Sequence, residues 1–360
     1  MTDTEGIPIR GARAWRGGDL ARTDWVTHLN VDEVKALNAL AQKLPSNDSE
    51  WLRHQALAQS DPALSLMLSN ASQALSQGKG FVLLRGLDAG DVEQFRRLFW
   101  IIGTGLGEPV MQNAKGELLS VVADRFAGAE RGVDTRGYES NDELRFHCDG
   151  GDCIGMSCIR QAPRGGTNGL VSLFAIYNEI LEQYPQHLPA LTRGYPLYAR
   201  KEQGDAESTK KLGQVQQTRI PVFAWHERRM SAWLNLQLAE LAATVSGNAY
   251  SEEEKEALNC VEAIANRPDM ELTFKQLPGD VLFVNNLAVM HRREKYFDAE
   301  EPDRKRALYR MWINLHQSAA VIPQHAAMRS GIRGPSPVIA AAWWSGSVER
   351  VVTLKIKKQE

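Results

Sequence analysis

Leu277-Pro-Gly-Asp280, Val281-Leu-Phe-Val284, Asn285-Asn286, Leu287-Ala-Val-Met-His291: this stretch reads as a turn, a buried strand, a break and an apolar run ending on a histidine. Pro-Gly sets the turn, and four apolar residues with two β-branched members suit a strand covered on both faces. The same grammar recurs in Gly80-Phe-Val-Leu-Leu-Arg-Gly86 and in short runs at 152–160, 169–175, 219–224, 270–274 and 306–315. Helical spacing appears elsewhere. Val31, Val34, Leu37, Leu40 and Leu44 follow Asn30, a suitable cap, so residues 30–76 read as helical. Val92, Phe95, Leu98 and Phe99 share one face over 90–102, and segments 176–194 and 251–266 are also helical in pattern. Gly103-Thr-Gly-Leu-Gly-Glu-Pro109 follows a helix and has no P-loop lysine, so it reads as a turn. The expected class is α+β with a mostly β core, a sandwich or barrel rather than a doubly wound parallel sheet. Its expected organisation is one structural domain, a helical region 1–76 packed on a core 77–360 with flanking helices.

Working outward from His291, the upstream match is Phe146-His147-Cys148-Asp149. In an extended chain, residues i and i+2 share a face, so His147 and Asp149 aim an imidazole and a carboxylate at one point while Cys148 turns away. Two histidines and one carboxylate, with the opposite face open, suit a non-haem Fe(II) oxygenase. With 8 His and 44 Asp+Glu in 360 residues, one H-x-[DE] match arises by chance, so the pair gains meaning only with its partners. Downstream, Arg304-Lys-Arg306 leads into Ala307-Leu-Tyr-Arg-Met-Trp-Ile313, which places Arg306, Leu308 and Arg310 on one face. An arginine pointed into a core is costly unless an anion meets it, and guanidinium pairs bidentately with carboxylate.

In order along the chain, H-x-D, then Gly165-Gly-Thr-Asn168 with Ser172, then P-G-D…N-N…H, then R-K-R-x-L-x-R resembles the TauD/TfdA family of Fe(II)/2-oxoglutarate dioxygenases. The likeness runs from about Gly80 to Leu315, and Tyr177-Asn178-Glu179 adds a likeness to one branch of that family. It implies a double-stranded β-helix (jelly roll) and a reaction using Fe(II), 2-oxoglutarate and O₂ to hydroxylate a C–H bond, releasing succinate and CO₂. By the same resemblance His147, Asp149 and His291 match the iron ligands, and Arg306 the partner of the distal carboxylate of 2-oxoglutarate. Arg310 matches a position that meets the substrate's anionic group. Where the family often has threonine against 2-oxoglutarate, this chain has Asn168 with Thr167 beside it. His226 falls near where family members line the substrate pocket. The carboxylate of Asp149 speaks against a halogenase, which needs a small residue there.

Composition bounds the partners. Hydrophobic residues make 43%, charged residues 24%, and the formal net charge is −2, which gives no footprint for nucleic acid or an anionic membrane. A small, anionic molecule (an amino acid, carboxylate, sulfonate or phosphonate) is the expected substrate, and a homo-oligomer stays open. The N-terminus lacks a basic start followed by an apolar run, and no stretch approaches the ~20 apolar residues that span a bilayer. Cys148, Cys153, Cys158 and Cys260 form no C-x-x-C pair, so buried free thiols in a reducing, cytoplasmic setting are expected. Residues 126–145, with Arg131, Arg136, Tyr138 and Glu139, read as a long loop that is either a lid or a surface loop. Three rivals remain at this stage: a cupin-type oxygenase without 2-oxoglutarate, a non-catalytic anion-binding protein, and a zinc hydrolase.

Overall fold

A computed structural model describes residues 6–54, 57–126, 134–201, 213–332 and 337–339. Two sheets face each other. The larger has eight strands, in the order Val26–His28, Phe81–Arg85, Val281–Asn285, Cys153–Arg160, Ala307–Leu315, Glu117–Val122 and Val338–Ile339, with Gly107–Val110 also paired to Ala307–Leu315. The smaller has four, in the order Leu272–Phe274, Asn168–Ser172, Val289–Arg293 and Leu144–His147.

Alternation explains why the strands of the larger sheet are apolar throughout. Leu282, Val284 and Trp312 face the smaller sheet and join one core with Phe146, Leu170 and Val289. Val281, Phe283, Tyr309, Met311 and Ile313 face the other way, into a second core with Leu37, Leu40, Leu64, Phe95 and Phe99. That second core is capped by the helices Val31–Lys43, Pro62–Ser76 and Val92–Leu106. The result is a double-stranded β-helix with flanking helices. It does not close into a barrel: both sheets keep edge strands.

Several local expectations change. The Gly103–Pro109 segment is not a turn: the helix Val92–Leu106 runs through it and passes directly into the strand Gly107–Val110. The glycines there serve close packing. A Cβ on Gly103 would sit 2.6 Å from Met311 Sδ, and one on Gly107 would sit 2.3 Å from the Asn314 carbonyl oxygen. The 169–175 run is a strand only to Ser172, whose hydroxyl accepts from Ala175 N at 3.1 Å and starts the helix Leu173–Gln183. His291 lies inside the strand Val289–Arg293 rather than just after a strand. The strand Glu117–Val122 and the helix Leu236–Ser246 had no reading in the sequence.

Residues 6–16 form a strap across the helix Leu173–Gln183. Tyr177 Oη accepts from Gly6 N at 3.2 Å, and the Asn178 amide both accepts from Ile9 N and donates to Ile9 O, each at 2.7 Å. Glu179 takes Arg16 at 2.5 Å, and Arg16 also reaches Asp269 at 2.7 Å. The Tyr177-Asn178-Glu179 triplet is thus the receptor of the N-terminal strap. At the other end, Val338–Ile339 adds a parallel edge strand beside Glu117–Val122, while Trp343-Trp344, Val351, Val352, Leu354 and Ile356 lie outside the described residues. Among the described residues no helix is long and apolar enough to cross a membrane.

Candidate iron centre

The ladder of the smaller sheet brings the two histidines together. His291 and His147 are direct cross-strand partners on antiparallel neighbours, with ring centroids 4.3 Å apart. Asp149 stands two residues beyond His147, past the end of its strand, on a turn held from outside. Asn286 accepts from Asp149 N at 3.1 Å and donates to Gly150 O at 3.0 Å, while Trp233 Nε1 donates to Asp149 O at 3.0 Å. His147 Nε2 lies 3.8 Å from Asp149 Oδ1 and His291 Nε2 lies 4.0 Å from Oδ2. One ligand atom from each of the three falls within 4.8 Å of the others.

The protonation states suit a divalent cation. His147 Nδ1 sits 2.8 Å from the Arg145 carbonyl, which can only accept, so Nδ1 carries a proton and Nε2 is the nitrogen turned to Asp149. Burial, and then His147, pushes His291 down to about 3, so it is a neutral donor near pH 7. Burial alone would raise Asp149, but Arg310, His147 and His291 outweigh it and hold the carboxyl below its usual range. Trp312 Nε1 donates to Asp149 Oδ2 at 3.2 Å, and Arg310 Nη1 stands 3.6 Å from the same oxygen. Two imidazoles and one ionised carboxylate are a fitting donor set for Fe(II).

The triad opens into a cavity of about 1050 Å³. Arg306 lines it at 2% exposure, donates through Nε to Gln161 Oε1 at 3.2 Å, and has no partner for Nη1 among the described residues. No carboxylate lies in ion-pair range of it there, and burial pushes its pKa down. Arg310 is also buried, bonded through Nε to Gln112 Oε1 at 2.7 Å and stacked 4.1 Å above the Tyr138 ring. Arg310 lies within the strand Ala307–Leu315 and Arg306 immediately before it, with a register shift between Ala307 and Leu308, and both line the cavity. Asn168 is buried and lines the cavity; Thr167 does not line it, and its carbonyl accepts from Glu294 N. His226 ends the strand Phe223–His226 at a tight hairpin whose turn residues Glu227 and Arg228 have φ of 45° and 66°. It does not line the cavity, so the structure does not bring it to the site. Of the loop residues, Arg136 and Tyr138 line the cavity, Glu139 pairs with Arg125 at 3.2 Å, and Arg131 lies outside the described residues.

Gln112, Gln161 and Trp312 went unread as site residues because nothing in the sequence marks a lone glutamine or tryptophan. Asn286 had a signal, the break after Val284, but its role in holding Asp149 shows only in space. The cysteines are free thiols, with Cys148, Cys153 and Cys158 buried.

The model of the taurine catabolism dioxygenase TauD, TfdA family matches residues 50–312. The chain belongs to the TauD/TfdA family. This TauD/TfdA chain is 29% identical over 254 residues to FR-33289 synthase of Streptomyces rubellomurinus, covering 69% of this chain and 73% of that protein. It is 27% identical to the taurine hydroxylase-like protein SAT17 of Stachybotrys chartarum, covering 69% and 65%. Its fold is that of asparagine oxygenase solved with Fe(II), hydroxyasparagine and succinate (TM-score 0.65, 18% identity, 81% of this chain and 93% of that one). The non-haem iron oxygenase OrfP, solved with iron and alpha-ketoglutaric acid, has the same fold (TM-score 0.59, 15% identity, 80% and 94%). This member of the TauD/TfdA family is a non-haem Fe(II)- and 2-oxoglutarate-dependent dioxygenase.

Proposed function

We propose that this dioxygenase hydroxylates a C–H bond of a small anionic substrate, with Fe(II) held by His147, Asp149 and His291. Arg306, assisted by Asn168, receives the far carboxylate of 2-oxoglutarate, and Arg310 receives the anionic group of the substrate. The observation that carries this reading is Arg306: a buried guanidinium, on the wall of the triad's own cavity, with no carboxylate to meet it among the described residues. Such a charge is stable only when a ligand brings the anion. Arg310 is a second buried guanidinium, with Nη1 3.6 Å from Asp149 and Nη2 buried and unbonded among the described residues.

Iron with 2-oxoglutarate supplies the oxidising power, consuming O₂ and releasing succinate and CO₂ while one oxygen atom enters the substrate C–H bond. The chain's own groups prepare that chemistry. The Arg145 carbonyl fixes the His147 tautomer, and Asn286 and Trp312 orient Asp149. The apolar cavity wall, including Leu197, Ile154 and Met156, keeps water from the reacting centre. Asparagine oxygenase and OrfP were solved with hydroxylated amino acids, which supports an amino acid or a similar small acid as substrate. Four free cysteines support a reducing, cytoplasmic setting.

The test is an anaerobic absorption titration with Fe(II) and 2-oxoglutarate on the wild type, His147→Ala and Arg306→Ala. The expected result is a weak visible charge-transfer band that is absent without His147 and needs more 2-oxoglutarate without Arg306. Iron binding with no band at any 2-oxoglutarate concentration would overturn the assignment of the cofactor site.

A further inference from the structure

A second cavity, of about 250 Å³, shares no lining residue with the iron cavity. Its charged lining is Arg13 of the N-terminal strap, Arg229 at the start of the strand Arg229–Ala232, Arg329 and Asp152. Three guanidinium groups therefore meet one carboxylate among the described residues that line it. That carboxylate is already spent. Asp152, at 2% exposure, accepts from Arg329 Nε at 2.5 Å through Oδ1 and from Leu315 N at 3.2 Å through Oδ2. Arg329 is further committed to Ser318 Oγ at 2.5 Å and to the Ala319 carbonyl at 2.6 Å. The hydroxyl of Ser231 is taken by His325 Nδ1 at 2.7 Å, and that of Ser76 donates to the Ser72 carbonyl at 2.8 Å. What is left over is a pair of cations: neither Arg13 nor Arg229 has an ion pair or a side-chain hydrogen bond among the described residues.

The chain fixes where both begin. The Arg13 carbonyl accepts from Ser172 Oγ at 2.6 Å, and its guanidinium lies 4.2 Å from the centroid of the Phe174 ring. Two residues on, Trp15 Nε1 donates to the Lys79 carbonyl at 2.7 Å, so the strap is anchored on either side of the Arg13 head. Arg229 follows the tight turn at Glu227 and Arg228 and pairs with His226 as the first residue of the returning strand, exposed to solvent. Burial first, and then Arg229, makes the Arg13 charge costly and lowers its pKa. Two like charges beside one cavity, with no free acid between them, repel unless an anion bridges them.

We propose that this cavity is an anion site, in which one dianionic oxyanion of the sulfate or phosphate type bridges Arg13 and Arg229 and ties the N-terminal strap to the hairpin. Two guanidinium forks can each take an edge of a tetrahedral oxyanion, and its two negative charges answer the pair. A carboxylate offers one edge and one charge. The oxyanion is a free ion or the end of a small phosphate ester, and the site is independent of the proposed roles of Arg306 and Arg310.

The probes are sulfate, ethyl phosphate and acetate, at about pH 8, where ethyl phosphate is a dianion above its second ionisation at ~6. Each is titrated calorimetrically, without oxygen and at ionic strength fixed by sodium chloride, into the full chain loaded with Fe(II) and 2-oxoglutarate. Acetate should bind at least about tenfold more weakly than the dianions, the scale of one lost charge pair. Sulfate at ten times its dissociation constant should slow tryptic cleavage after Arg16 by about tenfold, because the strap opens only after the anion leaves. Arg229→Met, an exposed change, should weaken sulfate at least about tenfold and abolish that protection, with part of both regained in Arg229→Lys. Arg13→Met should lose the protection as well, and Arg310→Met should keep it, which separates this site from the iron cavity. Tighter binding of ethyl phosphate than of sulfate would identify an ester as the occupant, and the reverse a free ion; both support the site. Protection by sodium chloride equal to that by sulfate, protection undiminished in Arg229→Met, or no protection of the wild type by either dianion would each overturn the proposal.

Discussion

Asp149 Oδ2 is reached by two groups from one strand, the Trp312 indole and the Arg310 guanidinium, so the carboxylate's orientation is set before any metal arrives. Trp312→Phe keeps the ring in the core and removes only the N–H. It should weaken Fe(II) binding by about tenfold, the lower end of the effect of losing an outer-shell partner. Competition against a coloured chelator reads this directly, and unchanged iron affinity would mean that Arg310 alone positions the carboxylate. His325 gives a second test, remote from iron. Its Nε2 sits 2.7 Å from the Pro221 carbonyl, so Nε2 carries the proton and Nδ1 accepts from Ser231 Oγ at 2.7 Å. Burial pushes this histidine from 6.5 down to about 4 in the folded protein. Above about pH 6.5 the neutral ring is favoured in both states and its contribution is complete. As pH falls from there towards about 4, the unfolded chain gains a proton that the native ring resists, and stability declines. His325→Gln should flatten that part of the urea-midpoint profile; an unchanged slope would assign the decline to other groups.

The strap over residues 6–16 joins no sheet and is fastened by Tyr177, Asn178 and Glu179 of one helix turn together with Ser172, which donates to Arg13 O, and Asp269, which pairs with Arg16. Asn178→Ala removes both amide bonds to Ile9. The expected cost is about 1–2 kcal/mol, with faster tryptic cleavage after Arg10, Arg13 and Arg16 and little change elsewhere. Equal cleavage rates would show that the contacts through Tyr177, Glu179, Ser172 and Asp269 hold the strap without Asn178. The same region marks what sequence reading reaches. Val281–Asn285 was legible because a continuous apolar run and Pro-Gly punctuation are local signals. The Val92–Leu106 helix was read four residues short at its C-terminal end because its glycines look like turn formers. Their reason is the nearness of Met311 and Leu68, which no local pattern carries. Glu117–Val122 is wholly buried yet lay unread between segments, since ELLSVV suits strand and helix alike.

Across the molecule the larger sheet separates two apolar cores, and both depend on the same strands. Urea unfolding followed by tryptophan fluorescence and by far-ultraviolet dichroism should therefore give coincident curves, because Trp51 and Trp100 lie in one core and Trp15, Trp25 and Trp312 in the other. Fe(II) at about 100 times its dissociation constant should add about 2.7 kcal/mol, and a chelator should remove it. Two separated transitions would show that the helical region folds apart from the sheets. The iron triad was legible because H-x-D, G-G-T-N, P-G-D…N-N…H and R-K-R-x-L-x-R, each common alone, occur in family order. The glutamines, Asn286 and Trp312 were not, because their roles come from a fold that unites distant strands.

The strap also imposes an order in time. Residues 6–16 leave the ribosome long before their partners, since Arg16 ends against Asp269 as well as Glu179. At ~5–20 residues per second, synthesis reaches Asp269 on the order of tens of seconds later. Until then Trp15, destined for the core between the sheets, has Phe81 and the Lys79 carbonyl but not the rest of that core to cover it. The strap is therefore among the last elements to find its place, and residues 6–16 are where a chaperone has the longest opportunity to bind.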